Sequence, residues 1–175
     1  GEDIVTKMSS KPLCEMLRCG VLCNNGDIAI QESIAGDTSD GGEWSAAGDP
    51  TETALLIAAA KGGMSHSAER TAFRRLDEIP FDSDTRRMTV TVRTPSGDTS
   101  SYTKGAADII LSRCTEILTS GGVKPLGYST RKRIEDACAE MSSSALRVLA
   151  FAYKPKGDNT PDSGMVFLGL MGMSD

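Results

Sequence analysis

The chain has 175 residues, enough for one domain with a substantial core and too few for two independent catalytic domains. Its 24 acidic side chains outnumber 19 basic ones, for a net charge of −5, so no overall positive field recommends nucleic acid or an anionic membrane as a partner, and an anionic ligand must meet a local cluster of cations. The strongest apolar stretch, residues 165–173, is broken by Gly169 and Gly172 and is too short to cross a bilayer, so no membrane contact is expected.

In chain order, the first predicted element is a helix over 11–23, where Leu13, Met16, Leu17, Val21 and Leu22 share one face. Asn24-Asn25-Gly26-Asp27 ends it as a turn. Residues 36–48 are polar and Gly-rich apart from Trp44 and read as a surface loop. At Gly48-Asp49-Pro50-Thr51-Glu52 a second helix begins, with Asp49 able to cap, Pro50 suited to the first helical position and Glu52 placed to close a capping box. It runs to about Lys61 and stops at Gly62-Gly63, and a short helix is expected near 68–75.

The pattern then changes to period two, with Met88, Val90 and Val92 alternating against Arg87, Thr89, Thr91 and Arg93, the mark of a half-buried strand. A turn at 94–98 leads to a partner strand over 99–103. Helices are predicted over 106–113 and 129–141, and strands over 146–153 and 166–171. This mixture with hairpin-like connections predicts an α+β fold, a mostly antiparallel β-sheet flanked by helices. The five cysteines, Cys14, Cys19, Cys23, Cys114 and Cys138, are irregularly spaced, contain no Cys-x-x-Cys pair and are accompanied by a single histidine, His66. They read as small apolar residues of a reduced protein, and no metal site is expected.

Four segments combine charge with glycine or an aromatic ring. In Phe81-Asp82-Ser83-Asp84-Thr85-Arg86-Arg87, an exposed Phe81 could stack on a base while arginine pairs with phosphate; alternatively Phe81 is a core residue entering a strand. Lys104-Gly105-Ala106 puts a lysine at a strand end and small residues before a helix, where a flat ligand can approach the backbone; it is not a Walker A loop. The Glu52 carboxylate could accept a hydrogen bond from an adenine amino group or serve only its capping box. Arg147, alone in Leu146-Arg147-Val148-Leu149, needs an anionic partner or a route to solvent. Ser65-His66-Ser67 lacks a positioned third member for a hydrolytic triad, the pairs Asp82/Asp84 and Asp77/Glu78 read as solvated turn residues, and no nucleophile has an activating partner.

Taken in order, Gly48-Asp49-Pro50-Thr51-Glu52-Thr53-Ala54-Leu55, Phe81-Asp82-Ser83 through Arg87-Met88, Lys104-Gly105-Ala106, Leu146-Arg147-Val148-Leu149-Ala150 and Gly169-Leu170-Met171-Gly172-Met173-Ser174-Asp175 resemble the nucleotide-binding (N) domain of type II P-type cation-transporting ATPases, most closely bacterial calcium transporters. The resemblance implies a single domain over 1–175, a cytoplasmic part of an integral membrane pump, inserted between two halves of a phosphorylation domain. The Asp-Lys-Thr-Gly-Thr segment with the phosphorylated aspartate is absent from the chain, so no turnover is expected from it alone. The resemblance further implies that Phe81 stacks on adenine, Glu52 lies near the adenine amino group, Lys104 sits deep in the pocket with Gly105 and Ala106 as its wall, Arg86 stands where the family usually has a lysine, and Arg147 approaches the phosphates. ATP with its Mg2+, and the phosphorylation and actuator domains, are the implied partners, and the chain is expected to be monomeric. Ala107-Asp108 replaces the family's usual Pro-Glu, which predicts a softer helix start. A non-enzymatic interaction module that retains the fold, or the N domain of a pump for Na+/K+ or H+, are the alternatives.

Overall fold

The structure, a computed structural model, describes residues 10–31, 43–155 and 161–174. Helix α1 (Lys11–Leu22) is capped by Ser10, whose hydroxyl accepts from the Leu13 N–H at 3.3 Å, and has a proline in its first turn. It buries Leu17, Cys19, Val21 and Leu22. Strands β1 (Asp27–Gln31) and β2 (Glu43–Ala47) form an antiparallel pair of their own. The turn expected at 24–27 therefore runs into a strand, and the loop expected over 36–48 is a strand from 43 to 47; residues 36–42 lie outside the described residues. With five residues each, these strands are too short to show a clear period.

Helix α2 (Pro50–Lys61) starts as expected, with the Asp49 carboxylate accepting from the Thr51 N–H at 2.8 Å. Helix α3 (His66–Ala72) stops earlier than predicted, because Arg74 already belongs to strand β3 (Arg74–Asp82). That strand was not expected: it is a sheet edge, mostly exposed, charged and interrupted by Pro80, so it lacks the alternation that marks a half-buried strand. The hairpin of β4 (Arg87–Arg93) and β5 (Thr99–Gly105) forms where predicted, with β5 reaching Gly105. Helix α4 (Ala107–Ser112) is followed by an unpredicted hairpin, β6 (Cys114–Thr119) and β7 (Gly122–Pro125), and then by α5 (Tyr128–Ser143), β8 (Arg147–Pro155) and β9 (Met165–Met173).

The seven long-range strands lie in the order β3-β4-β5-β8-β9-β6-β7, antiparallel except for β6 with β9. The predicted α+β class, a mostly antiparallel sheet flanked by helices, is the observed one. Alternation along the central strands splits the core between two faces. Met88, Val90, Val92, Phe151 and Val166 pack against Cys19, Leu22 and Leu55 of α1 and α2, whereas Ala150, Ala152, Met165 and Phe167 pack against Ile110 and Leu111 of α4. A third cluster, including Leu17, Val21, Ile28 and Leu56, joins α1 and α2 to β1.

One glycine fixes how closely the ends of β4 and β5 approach. A Cβ at Gly105 would stand 2.4 Å from the carbonyl oxygen of Arg86 and 2.8 Å from Cβ of Arg87, and both neighbours are held in strand or turn. Gly105→Ala is expected to lower unfolding free energy by about 2 kcal/mol, the scale of an overpacked core. At Gly121 an added methyl meets only ordinary contacts at 3.6 Å or more, and Gly121→Ala is the comparison expected to change little. Urea denaturation of both variants checks this.

Candidate functional site

Lys104, the penultimate residue of β5, lies opposite Met88 of β4 and is only 7% exposed. A lysine this deeply buried needs a counter-charge. It has one: Nζ donates to Glu52 Oε1 at 3.1 Å, and Glu52 is itself largely withdrawn from water. Glu52 reaches the sheet because it sits in the first turn of α2, whose start is fixed by Asp49 and Pro50. Its other oxygen, Oε2, accepts the Asn25 N–H at 3.3 Å. The expected capping box does not form in this geometry: Asp49 caps the helix, while the Glu52 oxygens are engaged by Lys104 and Asn25.

Phe81, near the end of β3, is 62% exposed, which excludes the alternative of a core phenylalanine. The turn beyond it is tied by Asp82. Its carboxylate accepts the Thr85 N–H at 3.0 Å and the Asp84 N–H at 2.8 Å, bonds that hold its pKa below the usual carboxylate range, and its carbonyl accepts from Arg86 N at 2.7 Å. Arg86 takes a left-handed backbone with φ 51° and pairs through its guanidinium with Asp108 at 2.6 Å. Slight burial of Asp108 works upward on its pKa, but the Arg86 hydrogen bond and charge prevail and hold it low.

Arg147 is the first residue of β8 and is exposed, so its charge has a route to solvent despite the apolar sequence around it. Nη1 donates to Thr51 Oγ1 at 2.9 Å, linking β8 to the start of α2. The structure thus brings Glu52, Phe81, Lys104, Gly105 and Arg147 to the wall of one cleft of about 430 Å³, completed by Asp49, Thr51 and Leu149. Arg86 and Ala106 are not among its lining residues. They stand behind Gly105, with the Ala106 N–H donating to the Arg86 carbonyl at 3.0 Å. Asp49, Thr51 and Leu149 were not among the expected site residues, although each lies within three residues of Glu52 or Arg147.

The cleft combines an exposed aromatic face, an apolar wall of Leu149 and Gly105, a buried cation–carboxylate pair on the floor and an arginine at the rim. That set suits a flat, amino-bearing heteroaromatic ring with an anionic tail, and the volume is that of a small-molecule site. The remaining chemistry-bearing groups lie elsewhere. His66 Nε2 pairs with Asp27 at 2.8 Å, joining α3 to β1. All five cysteines are free; burial pushes the Cys23 thiol up to about 11 and Cys19 well above its ordinary value, leaving both unreactive. Among the described residues no group of His, Cys, Asp and Glu is arranged to hold a metal ion.

Residues 12–175 match the family model described as P-type ATPase, cytoplasmic domain N. The chain belongs to this domain N family. It is 36% identical over 180 residues to the calcium-transporting ATPase of Bacillus subtilis (strain 168), an alignment covering 99% of this chain and 19% of that protein. It is 41% identical over 133 residues to calcium-transporting ATPase 1 of Bacillus cereus (strain ATCC 10987 / NRS 248), covering 73% and 15%. With cation-transporting ATPase pma1 of Synechocystis sp. (strain ATCC 27184 / PCC 6803 / Kazusa) the identity is 37% over 170 residues, covering 92% and 17%. The chain therefore spans less than a fifth of the length of these curated relatives.

In this domain N the buried Lys104–Glu52 pair bears on stability. Glu52→Gln leaves a buried ammonium without its counter-charge and is expected to lower unfolding free energy by about 2 kcal/mol. Lys104→Met in the same background should recover part of that loss. Asp136→Asn, which breaks an exposed ion pair with Lys132, should cost under about 0.5 kcal/mol. Chemical denaturation of the four chains checks the order.

Proposed function

We propose that the cleft binds ATP, with adenine against the Phe81 ring, its amino group toward Glu52, Lys104 beneath it, Gly105 as a close wall and the triphosphate leading out past Arg147. The observation that carries this reading is the large exposed ring of Phe81 at the mouth of a cleft whose floor is a compensated Lys104–Glu52 pair. Unlike the other exposed apolar side chains Leu76, Ile79, Val123 and Tyr128, Phe81 lines this cleft, where its ring face can stack on a flat ligand. Arg86, beyond the cleft lining and paired with Asp108, adds positive charge near the ring-bearing turn. Ala106, behind Gly105, keeps the start of α4 close to the strand end. Mg2+ would enter with the phosphates that ligate it.

In the whole protein, this domain would position the nucleotide and neutralise phosphate charge while another domain supplies the aspartate that takes the γ-phosphoryl group. The parent is read as an ATP-driven cation pump of a membrane, with its phosphorylation and actuator domains as partners. Calcium is the proposed ion, because the bacterial relatives at 36% and 41% identity are named calcium-transporting ATPases. The isolated chain is expected to be a monomer that binds nucleotide without turning it over.

Titration of the isotope-labelled chain with ATP, ADP and GTP tests the reading by NMR. Saturable amide shifts at Phe81, Lys104 and Arg147 are expected, stronger for adenine than for guanine nucleotides. Phe81→Ala should weaken ATP binding about tenfold, the worth of one stacked base. Absence of shifts at millimolar ATP would refute the binding claim.

A further inference from the structure

The two sides of the cleft, the ring-bearing strand β3 and the carboxylate-bearing helix α2, are joined through one residue, Asn25, whose backbone bonds Glu52 and whose side chain bonds Arg75 and Glu78. The Asn25 N–H holds Glu52 Oε2 at 3.3 Å. The Asn25 side chain is held at both ends, Oδ1 accepting from Arg75 Nη1 at 2.7 Å and Nδ2 donating to Glu78 Oε1 at 2.9 Å. Because a guanidinium only donates and a carboxylate only accepts, the amide can sit only this way round. Arg75 also donates to Glu78 Oε2 at 2.9 Å and to the carbonyls of Leu22 and Asn24 at 2.6 and 2.9 Å, which anchors the ion pair to the end of α1.

Residues three apart in a regular strand point to opposite faces. Arg75 and Glu78 share one because β3 carries a bulge: Arg75 is opposite Val92, Asp77 opposite Thr91 and Glu78 opposite Val90, so an extra residue is absorbed between 75 and 77. The bulge turns both charged side chains toward Asn25, three residues before Phe81. Asn24 completes the junction, its Nδ2 donating to the Glu52 carbonyl at 2.8 Å and to the Gly20 carbonyl at 3.0 Å.

We propose that Asn25, held by Arg75 and Glu78, is a positioning residue that aims the Glu52 carboxylate and thereby sets selectivity for adenine over guanine. This rests on the reading of the cleft as an ATP site. A carboxylate with one oxygen on Lys104 and the other on a fixed N–H offers its remaining lone pairs in fixed directions. The adenine amino group is a donor to such an acceptor; guanine presents a carbonyl oxygen at the same ring position, which meets the carboxylate with like polarity. If Asn25 moves, Glu52 can swing away and both terms shrink, while stacking on Phe81, common to every base, remains.

The test compares ATP and GTP affinity, by calorimetry or NMR titration, for the wild-type chain, Asn25→Asp and Asn25→Asp/Glu78→Gln, with a thermal midpoint for each. Asn25→Asp sets two carboxylates against each other and should lower the ATP:GTP affinity ratio about tenfold, one charge-assisted hydrogen bond. Glu78→Gln restores a donor to residue 25 and should bring the ratio most of the way back. A general loss of stability would weaken both nucleotides together and leave the ratio unchanged. If Asn25→Asp does not fold, Asn25→Ser, which shortens the strut without adding charge, carries the same expectation. A wild-type ratio in the folded variant overturns the role of Asn25, whereas absence of ATP binding by the wild-type chain overturns the nucleotide reading beneath it.

Discussion

Burying a lysine ammonium beneath a helix is tolerable only with a carboxylate beside it, and the Lys104–Glu52 pair is the constraint around which the cleft is arranged. It joins the end of strand β5 to the first turn of α2 through two residues 52 apart in sequence. Lys104 lies on the face of the sheet that carries Met88, Val90 and Phe151, so the pair is surrounded by the main apolar cluster. The start of α2 must therefore come down at one place, and Asp49, Thr51 and Glu52 arrive together at the mouth of the cleft. Arg147, bonded to Thr51 Oγ1, closes the same corner from β8.

The second constraint is the close approach of β4 and β5 at Gly105. Without a Cβ there, the Arg86 carbonyl can accept the Ala106 N–H, and the turn after Phe81 packs directly on the strand that carries Lys104. Asp82 shapes that turn through local hydrogen bonds, which is why Arg86 adopts a left-handed backbone. The ring of Phe81 on β3 and the ammonium of Lys104 on β5 are thus related through the paired strands β3-β4-β5 rather than through flexible connections. Catalytic and binding groups on such rigid supports hold their separation without a ligand present.

Segments with strong period or strong punctuation were legible in the sequence: α1 from its apolar face, α2 from Asp49-Pro50, and the β4–β5 hairpin from alternation around residues 94–98. The edge strand β3 was not, because an exposed, charged strand has no buried face to impose alternation, and Pro80 argues against a strand at all. The short strands β1, β2, β6 and β7 acquire their identity from pairing rather than from propensity. In the cleft, the types of the key residues could be read, but their pairing could not. Local sequence made Glu52 a natural member of a capping box; only the packing of α2 on the sheet supplies Lys104 and Asn25 as partners. Arg147 looked like an arginine inside an apolar strand, and the structure puts it at the strand's exposed first position.

The charge arrangement also bears on which end of a nucleotide faces inward. The whole chain carries a net charge of −5, and at the floor of the cleft Lys104 is compensated by Glu52, so this buried cation offers little net attraction to a triphosphate. Placing phosphates there would also desolvate several negative charges next to a carboxylate, a heavy cost in a low-dielectric site. A neutral base meets no such penalty and gains apolar contact with Phe81, Leu149 and the bare backbone of Gly105. Arg147, by contrast, is exposed at the rim, where phosphate can keep much of its water while meeting a guanidinium. For a nucleotide bound as proposed, electrostatics and burial therefore favour one orientation, base inward and phosphates outward.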